Sequence, residues 1–215
     1  MKVIALDMDG TLVDSEMMYM QTIVDILRKH NQIVDYNLLI KTMGISFDDF
    51  YTLLGDHWNP KKTKEEMEEL FNNETWNDAF DWNDLLFPFV RYFFKTLKEK
   101  GYHFVIASSS PSHLIATMVT QCQLQDFIDK IYSGQDCTQG KPHPEIYLNV
   151  IEDYSISNKD LIVIEDSPHG IDAGKQAGAY VIARKENRFN LCQDDADFIA
   201  CDFCEITNHI LEREA

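Results

Sequence analysis

Four short apolar runs, each about the length of one β-strand, most strongly constrain how this chain can fold. They cover residues 3–6, 103–107, 161–164 and 179–183. Short runs rich in β-branched residues are typical of strands buried on both faces. Helical patterns accompany them at residues 89–99, 111–121, 144–153 and 168–176. The alternation predicts an α/β fold with a parallel sheet covered by helices on both faces, in which ligands bind beyond the carboxyl ends of the strands.

Residues 15–82 interrupt this alternation directly after the first predicted strand. Apolar side chains recur there at helical spacing, as at Met20, Val24 and Leu27, and no strand pattern intervenes. We therefore expect a helical insert that covers the strand ends as a cap. Its methionine and aromatic residues are expected to form mainly the insert's own core. The two predicted domains are a parallel-sheet core, residues 1–14 and 83–215, and an α-helical cap domain, residues 15–82.

Two carboxylates follow the first predicted strand, in the sequence D-M-D-G-T. Asp7, at the end of a buried strand, is held rigidly and can attack phosphorus to form an aspartyl phosphate. Asp9 can then reach the leaving oxygen as an acid, and later a water molecule as a base. An acidic turn after a strand is the structural alternative, because D-x-D-G alone is only moderately specific.

Two further motifs suit a phosphoryl group. Ser108 and Ser109 follow the second predicted strand and precede a helix, where hydroxyls and helix amides commonly bind phosphate. Serine also caps helices for structural reasons, so this signal is weak by itself. Lys141 stands in the segment G-K-P-H-P, whose two prolines fix the loop. Its ammonium can point at a phosphoryl oxygen and neutralise the nucleophile.

A third predicted strand ends in the adjacent carboxylates Glu165 and Asp166. Mg²⁺ prefers one or two carboxylates, water and phosphate oxygens as ligands. The sequence therefore predicts a Mg²⁺ site made by Glu165 and Asp166, completed by Asp7 and the main-chain carbonyl of Asp9.

The order of these four motifs along the chain resembles the haloacid dehalogenase superfamily. The resemblance is to the subgroup with a helical cap after the first strand, which includes β-phosphoglucomutase and many sugar-phosphate phosphatases. It covers about residues 1–210 and implies a Rossmann-like core, a Mg²⁺ cofactor and a phosphate-ester substrate. The roles implied are nucleophile for Asp7, general acid and base for Asp9, phosphate binding for Ser108, Ser109 and Lys141, and metal binding for Asp7, Asp9, Glu165 and Asp166.

Two positions in the cap depart from the mutase pattern. Tyr19 stands where β-phosphoglucomutases have a His, and Phe47 stands where they have an Arg. A mutase must hold a second phosphate, which a cationic Arg can do and Phe47 cannot. We therefore expect a phosphatase acting on a small phosphorylated metabolite, with a phosphosugar mutase as the alternative. Lys41 is the nearest cap cation in sequence and can substitute for the missing Arg.

Other reactions of the superfamily fit less well. Dehalogenases lack the second acid and do not need Mg²⁺, whereas this chain has Asp9 and the Glu165–Asp166 pair. Phosphonatases carry a Schiff-base lysine in the cap loop, and residues 44–49 contain none. A non-catalytic phospho-receiver or binding module remains a further class, but such a protein does not need an acid two residues from its phosphorylated aspartate.

The charge of the chain limits its partners. It has 36 acidic and 19 basic side chains, a formal net charge of −17, which disfavours binding to nucleic acids and anionic membranes. An anionic substrate then requires local positive charge at the site. The first apolar run is too short for a signal peptide, and residues 85–94 are too short to span a bilayer. With five cysteines, an odd number, these features predict a cytoplasmic enzyme with reduced thiols.

Overall fold

The computed structural model describes residues 1–43, 45–74 and 81–213. Six strands within these residues form one sheet, and every neighbouring pair is parallel. The strands are β1 (Lys2–Leu6), β2 (Tyr102–Ser108), β3 (Ile128–Ser133), β4 (Leu161–Glu165), β5 (Tyr180–Arg184) and β6 (Phe198–Ala200). Their order is β3-β2-β1-β4-β5-β6, so β1 lies between β2 and β4. The predicted α/β fold with a parallel sheet is confirmed.

Ten α-helices accompany the sheet in the described part of the chain. They are α1 (Glu16–Lys29), α2 (Tyr36–Lys41), α3 (Phe47–His57), α4 (Lys64–Asn73), α5 (Trp82–Leu85), α6 (Val90–Lys98), α7 (Ser112–Gln121), α8 (Glu145–Tyr154), α9 (Pro168–Gln176) and α10 (Phe203–Glu212). None of them is long and apolar enough to cross a membrane.

The sheet is buried on both faces because successive side chains of a strand point in opposite directions. In β1, Ile4 and Leu6 pack in the cluster that includes residues of α6, α7 and α10. Val3 and Ala5 pack in the opposite cluster, with residues of α8 and α9. All four side chains are completely buried. A central strand covered on both faces holds the residues that follow it rigidly.

The helices α1 to α4 form the cap and have a hydrophobic cluster of their own. Met67 and Phe71 of α4 are fully buried in it, as expected for an insert with its own core. The cluster also takes in Phe189 of the main domain, which is 6% exposed. The cap therefore packs against the loop that follows β5 as well as covering the strand ends. Residues 44 and 75–80 of the predicted cap lie outside the described part of the chain.

The two chain segments that join cap and core lie side by side. The amide of Asp14 donates to the carbonyl of Leu85 at 2.8 Å, and the amide of Phe87 donates to the carbonyl of Leu12 at 3.0 Å. Val13 and Leu86 form an antiparallel bridge between them. Two adjacent connecting segments of this kind suit a hinge between cap and core. The domain boundaries at residues 14 and 83 stay a prediction that is compatible with this position.

The strands β3 and β6 and the helix α10 were not predicted. The strand β3 lies at one edge of the sheet, and its residues Asp129 and Lys130 are exposed. β6, at the other edge, has three residues. Edge strands are solvated on one side, so they lack the continuous apolar pattern that identified the central strands.

Candidate active site

The predicted functional residues meet at the carboxyl ends of three neighbouring strands. Asp7 follows β1, and its amide donates to the carbonyl of Ile164 in β4 at 3.0 Å. Ser108 is the last residue of β2, and Glu165 is the last residue of β4. Because parallel strands end at the same edge of a sheet, residues more than 150 positions apart share one site.

Lys141 is the cation at the centre of this site. Its ammonium lies 2.6 Å from an oxygen of Asp7 and 2.6 Å from an oxygen of Glu165, and it donates to the carbonyl of Ala107 at 2.9 Å. Burial of the ammonium opposes its charge, but the two carboxylates outweigh this and raise the pKa of Lys141 well above its usual value. Lys141 therefore stays charged and supplies the positive charge that an anionic protein needs at a phosphate site.

Three buried carboxylates, those of Asp7, Glu165 and Asp166, form an acidic cluster. They have oxygens that lie within 4.8 Å of one another. Burial, opposed by Lys141 but assisted by Glu165, raises the pKa of Asp7 to about 8. Burial and the adjacent Glu165 raise the pKa of Asp166 well above its usual range. Three carboxylates beside one ammonium leave an excess of negative charge, so this set of oxygen donors fits a hard divalent cation.

The hydrogen bonds of Glu165 and Asp166 differ. One oxygen of Glu165 accepts from Lys141 and from the hydroxyl of Tyr147, and the other accepts from the amides of Asp166 and Ser167 and from the Ser167 hydroxyl. Asp166 accepts from the Thr11 hydroxyl at 2.9 Å through Oδ1. No hydrogen bond to Oδ2 of Asp166 occurs among the described residues. The Oδ2 atom of Asp166 is thus more available to a metal ion than either carboxylate oxygen of Glu165.

Two glycines make room for these carboxylates. A Cβ atom on Gly10 would lie 2.2 Å from Oδ2 of Asp166, and Gly10 also has a positive φ of 73°. A Cβ atom on Gly170 would lie 1.8 Å from an oxygen of Glu165. No real Cβ atom tolerates such contacts, so the acidic cluster requires glycine, which has no Cβ atom, at both positions.

The carboxyl group of Asp9 is separate from the acidic cluster. It accepts hydrogen bonds of 2.6 Å from the hydroxyls of Ser15 and Ser110, and Tyr19 also bonds to it. Burial raises the pKa of Asp9, although these hydrogen bonds partly oppose the shift. A raised pKa favours the protonated form, which suits an acid that donates to a leaving group.

Ser108 and Ser109 line the same cavity as Asp7, Asp9 and Lys141. The hydroxyl of Ser108 is buried and accepts from the amide of Ser110 at 3.0 Å. The structure therefore brings every predicted site residue to one end of the sheet. Their roles in binding phosphate or metal stay predictions, including the contribution of the Asp9 carbonyl.

Sequence reasoning missed two residues of this site. Ser110 directly follows Ser108 and Ser109, but its hydrogen bond to Asp9 depends on how the loop after β2 turns. Glu16 was not noted; it begins α1 and lines the cavity. The available signal was its place in the first turn of the helix that follows the D-x-D-G motif.

Comparison with known proteins identifies the family. The sequence model described as "Haloacid dehalogenase-like hydrolase" matches residues 4–184. The chain belongs to this family. The hydrolase family assignment agrees with the resemblance seen in the four motifs and with the fold.

Several relatives of this chain carry phosphatase names. The chain is 28% identical over 201 residues to hexitol phosphatase B of Escherichia coli strain K12. The aligned residues cover 91% of this chain and 87% of the relative. The chain is 26% identical over 181 residues to a phosphorylated carbohydrates phosphatase of Thermotoga maritima, which spans 83% and 82% of the two chains. A β-phosphoglucomutase structure from Clostridium difficile has the same fold, with a TM-score of 0.82 at 20% identity over 100% of this chain and 96% of that one.

Proposed function

We propose that this protein is a Mg²⁺-dependent phosphatase that cleaves the phosphate monoester of a small metabolite through an aspartyl-phosphate intermediate. The observation that carries the proposal is the placement of Asp7. Its carboxylate contacts the Lys141 ammonium at 2.6 Å, belongs to the acidic cluster with Glu165 and Asp166, and lines a cavity that Asp9 also lines. A nucleophile, a fixed cation and a separate acid are the groups that this reaction requires.

In the first step, an oxygen of Asp7 attacks phosphorus, and the bond from phosphorus to the alcohol oxygen breaks. Asp9 gives its proton to that oxygen, and the alcohol leaves. In the second step, Asp9 takes a proton from a water molecule that attacks the phosphoryl group. The bond to Asp7 then breaks and inorganic phosphate leaves. Lys141, with Ser108 and Ser109, would hold the phosphoryl oxygens in both steps.

We propose that Asp7, Asp166 and the Asp9 carbonyl hold the Mg²⁺, and that Glu165 assists them. When bound, the cation offsets the repulsion between Asp7 and a phosphate dianion. The five hydrogen bonds to Glu165 support a positioning role beside the ion. Direct ligation by Glu165 is the alternative within this proposal.

The residues that the cap contributes to the cavity favour hydrolysis over a mutase reaction. Phe47 lines the cavity, and no Lys or Arg of the described cap residues does so. Lys41 is exposed. Arg188, of the loop after β5, is engaged with Asp14 and Glu186. A mutase must hold a second phosphate, and none of these cations is placed to do so.

Product analysis tests this assignment. With p-nitrophenyl phosphate, we expect release of phosphate in Mg²⁺ and none in excess chelator. With β-glucose 1-phosphate and a trace of the bisphosphate primer, any turnover should yield inorganic phosphate. Glucose 6-phosphate as the main product would show a mutase. No turnover of any phosphate ester would favour the receiver or binding module.

The acid and base role of Asp9 predicts a dependence on the leaving group. Asp9→Asn should slow the hydrolysis of alkyl phosphates by about 100-fold or more, the size of a typical general-acid contribution. The first step with p-nitrophenyl phosphate should fall much less, because that leaving group needs little protonation. Phosphoenzyme should then accumulate and be visible in acid-quenched samples. Equal losses on both substrates, with no trapped intermediate, would contradict the assignment.

A further inference from the structure

Two main-chain carbonyls beside the proposed metal ligands accept hydrogen bonds from buried side chains of the region around β5. One is the carbonyl of Gly10, the residue after Asp9, and its donor is Nε of Arg184. The other is the carbonyl of Asp166, and its donor is Nε2 of Gln193 at 2.7 Å. Both donor residues are 6% exposed, and neither is among the described residues that line the cavity. They are therefore placed to act on the metal site without contacting a substrate in the cavity.

The side chain of Gln193 extends the pairing of β4 and β5 by one step beyond the sheet. The ladder between these strands ends at the pair Glu165 and Ala183, so Asp166 and Arg184 are the next two residues in register. The amide nitrogen of Gln193 donates to the carbonyls of both, at 2.7 and 2.8 Å. Its oxygen accepts from a main-chain amide of the loop after β5 at 3.1 Å. The position of Asp166 relative to β5 is thus fixed by this side chain.

Arg184 holds the turn that follows β1. Its guanidinium lies over the ring of Phe87, with Cζ 4.0 Å from the ring centre, and donates to the carboxylate of Glu186 at 3.3 Å. Because the guanidinium is planar and rigid, these contacts fix the direction in which its Nε donates to the Gly10 carbonyl. Gly10 has a positive φ of 73°, and a glycine has more backbone freedom than any other residue. The orientation of this turn therefore depends on hydrogen bonds from outside it.

The two segments that are held in this way meet at the metal site. A Cβ atom on Gly10 would lie 2.2 Å from Oδ2 of Asp166, so the turn and the end of β4 are in direct contact. Two of the proposed ligands, Asp7 and the carbonyl of Asp9, belong to the first segment, and Asp166 belongs to the second. Mg²⁺ demands a nearly ideal octahedral arrangement of its ligands. A small shift between the two segments would therefore weaken binding of the cation.

We propose that Arg184 and Gln193 are positioning residues that hold the turn after β1 and the end of β4 at the separation that Mg²⁺ binding requires. The inference rests on the metal site of the proposed function and goes beyond it, because it assigns a task to two residues that lie behind the ligands. Hydrogen-bond partners that orient metal ligands commonly change metal affinity by about 10- to 100-fold when they are removed.

Metal binding to the protein without substrate tests this directly. The probe is Mn²⁺, which prefers the same carboxylate and carbonyl oxygens as Mg²⁺, and the EPR signal of the free ion gives its dissociation constant. Arg184→Met and Gln193→Met should each raise this dissociation constant by about 10-fold or more. The Mg²⁺ concentration for half-maximal hydrolysis of p-nitrophenyl phosphate should rise by a similar factor. The rate in saturating Mg²⁺ should stay within about threefold, because neither residue touches the reacting groups.

Two control variants separate positioning from a loss of stability. Arg188→Met removes an arginine of the same loop, which contacts Glu186 and Asp14 and, in the described part of the chain, no carbonyl beside a metal ligand. Ile210→Ala removes a buried side chain of α10 and should lower the melting temperature. Both controls should bind Mn²⁺ as tightly as the wild type at 25 °C.

The effect in Gln193→Met is the sharper of the two, because this substitution changes no charge. It also carries the test alone if Arg184→Met does not fold. A dissociation constant within about threefold of the wild type in Gln193→Met or Arg184→Met would overturn the role of that residue, since removal of an orienting partner costs more than this. An equal loss of affinity in Ile210→Ala would overturn both roles, because it would show a general loosening of the fold.

The outcomes also separate this inference from the proposed function. A wild type that binds neither Mn²⁺ nor Mg²⁺ would overturn the metal site and this inference together. A wild type that binds the metal but hydrolyses no phosphate ester would overturn the proposed phosphatase. The Mn²⁺ affinities of the two variants would then still decide the positioning role, because that measurement needs no turnover.

Discussion

Replacing Asp7 with Asn is expected to reduce turnover by about 10⁴-fold or more, the order of loss seen when a covalent nucleophile is removed. The amide oxygen of Asn is neutral and cannot form the aspartyl phosphate. Labelling with a ³²P-phosphate ester, followed by acid quenching, should give labelled protein with the wild type under rapid mixing and none with Asp7→Asn.

The fold should survive this substitution. It removes an ionisable carboxyl group from a buried acidic cluster and leaves Lys141 paired with Glu165 at 2.6 Å. The melting temperature without metal should therefore be equal to or higher than that of the wild type. Asp172→Asn, at an exposed position of α9, is the matched control and should keep full activity. Activity of Asp7→Asn within tenfold of the wild type would contradict the role of Asp7 as the nucleophile.

The second large effect concerns stability without metal. The folded protein binds protons at Asp7 and Asp166 more tightly than the unfolded chain does, because their pKa values are raised. Asp9 and Glu16 shift in the same direction. At pH values above about 4, the ordinary carboxyl pKa, folding is therefore accompanied by proton uptake. The free energy of unfolding must fall as the pH rises from there through about 8, the pKa of Asp7 in the folded protein.

Thermal melts should show this directly. In excess chelator, the wild type should melt at a lower temperature at pH 8 than at pH 6. Mg²⁺ should raise the melting temperature more at pH 8, by about 4 °C or more, since each kcal/mol corresponds to about 2–4 °C in a domain of this size. A cation that binds only the folded state stabilises it by mass action.

Asp166→Asn separates stability from function. Removing one carboxylate should raise the melting temperature in chelator at pH 8, reduce its pH dependence and abolish most of the shift with Mg²⁺. Activity should fall by about 100-fold or more, because the cation's electrostatic contribution is worth several kcal/mol. Asp172→Asn again serves as the control. The metal site would be contradicted if Mg²⁺ did not change the melting temperature of the wild type and the wild type were active in excess chelator.

The sequence by itself determined the central sheet and the chemical groups at its end. Buried central strands need apolar side chains on both faces, so the runs ending at Asp7 and near Ser108 and Glu165 were readable without a structure. Because parallel strands end at one edge, the polar residues after them had to lie close together. The helical cap was readable for a related reason, since an insert with helical periodicity and no strand pattern must bury its own apolar face.

Only the tertiary structure decided which groups pair with which. The contact of Lys141 with both Asp7 and Glu165 joins segments that no local pattern relates, and the bond from Ser110 to Asp9 depends on the course of one loop. The place of Glu16 in the wall of the cavity likewise depends on how α1 packs over the strand ends. Burial, distance and the loss of solvent are set by the whole fold, and these quantities decide the charge and the availability of a side chain.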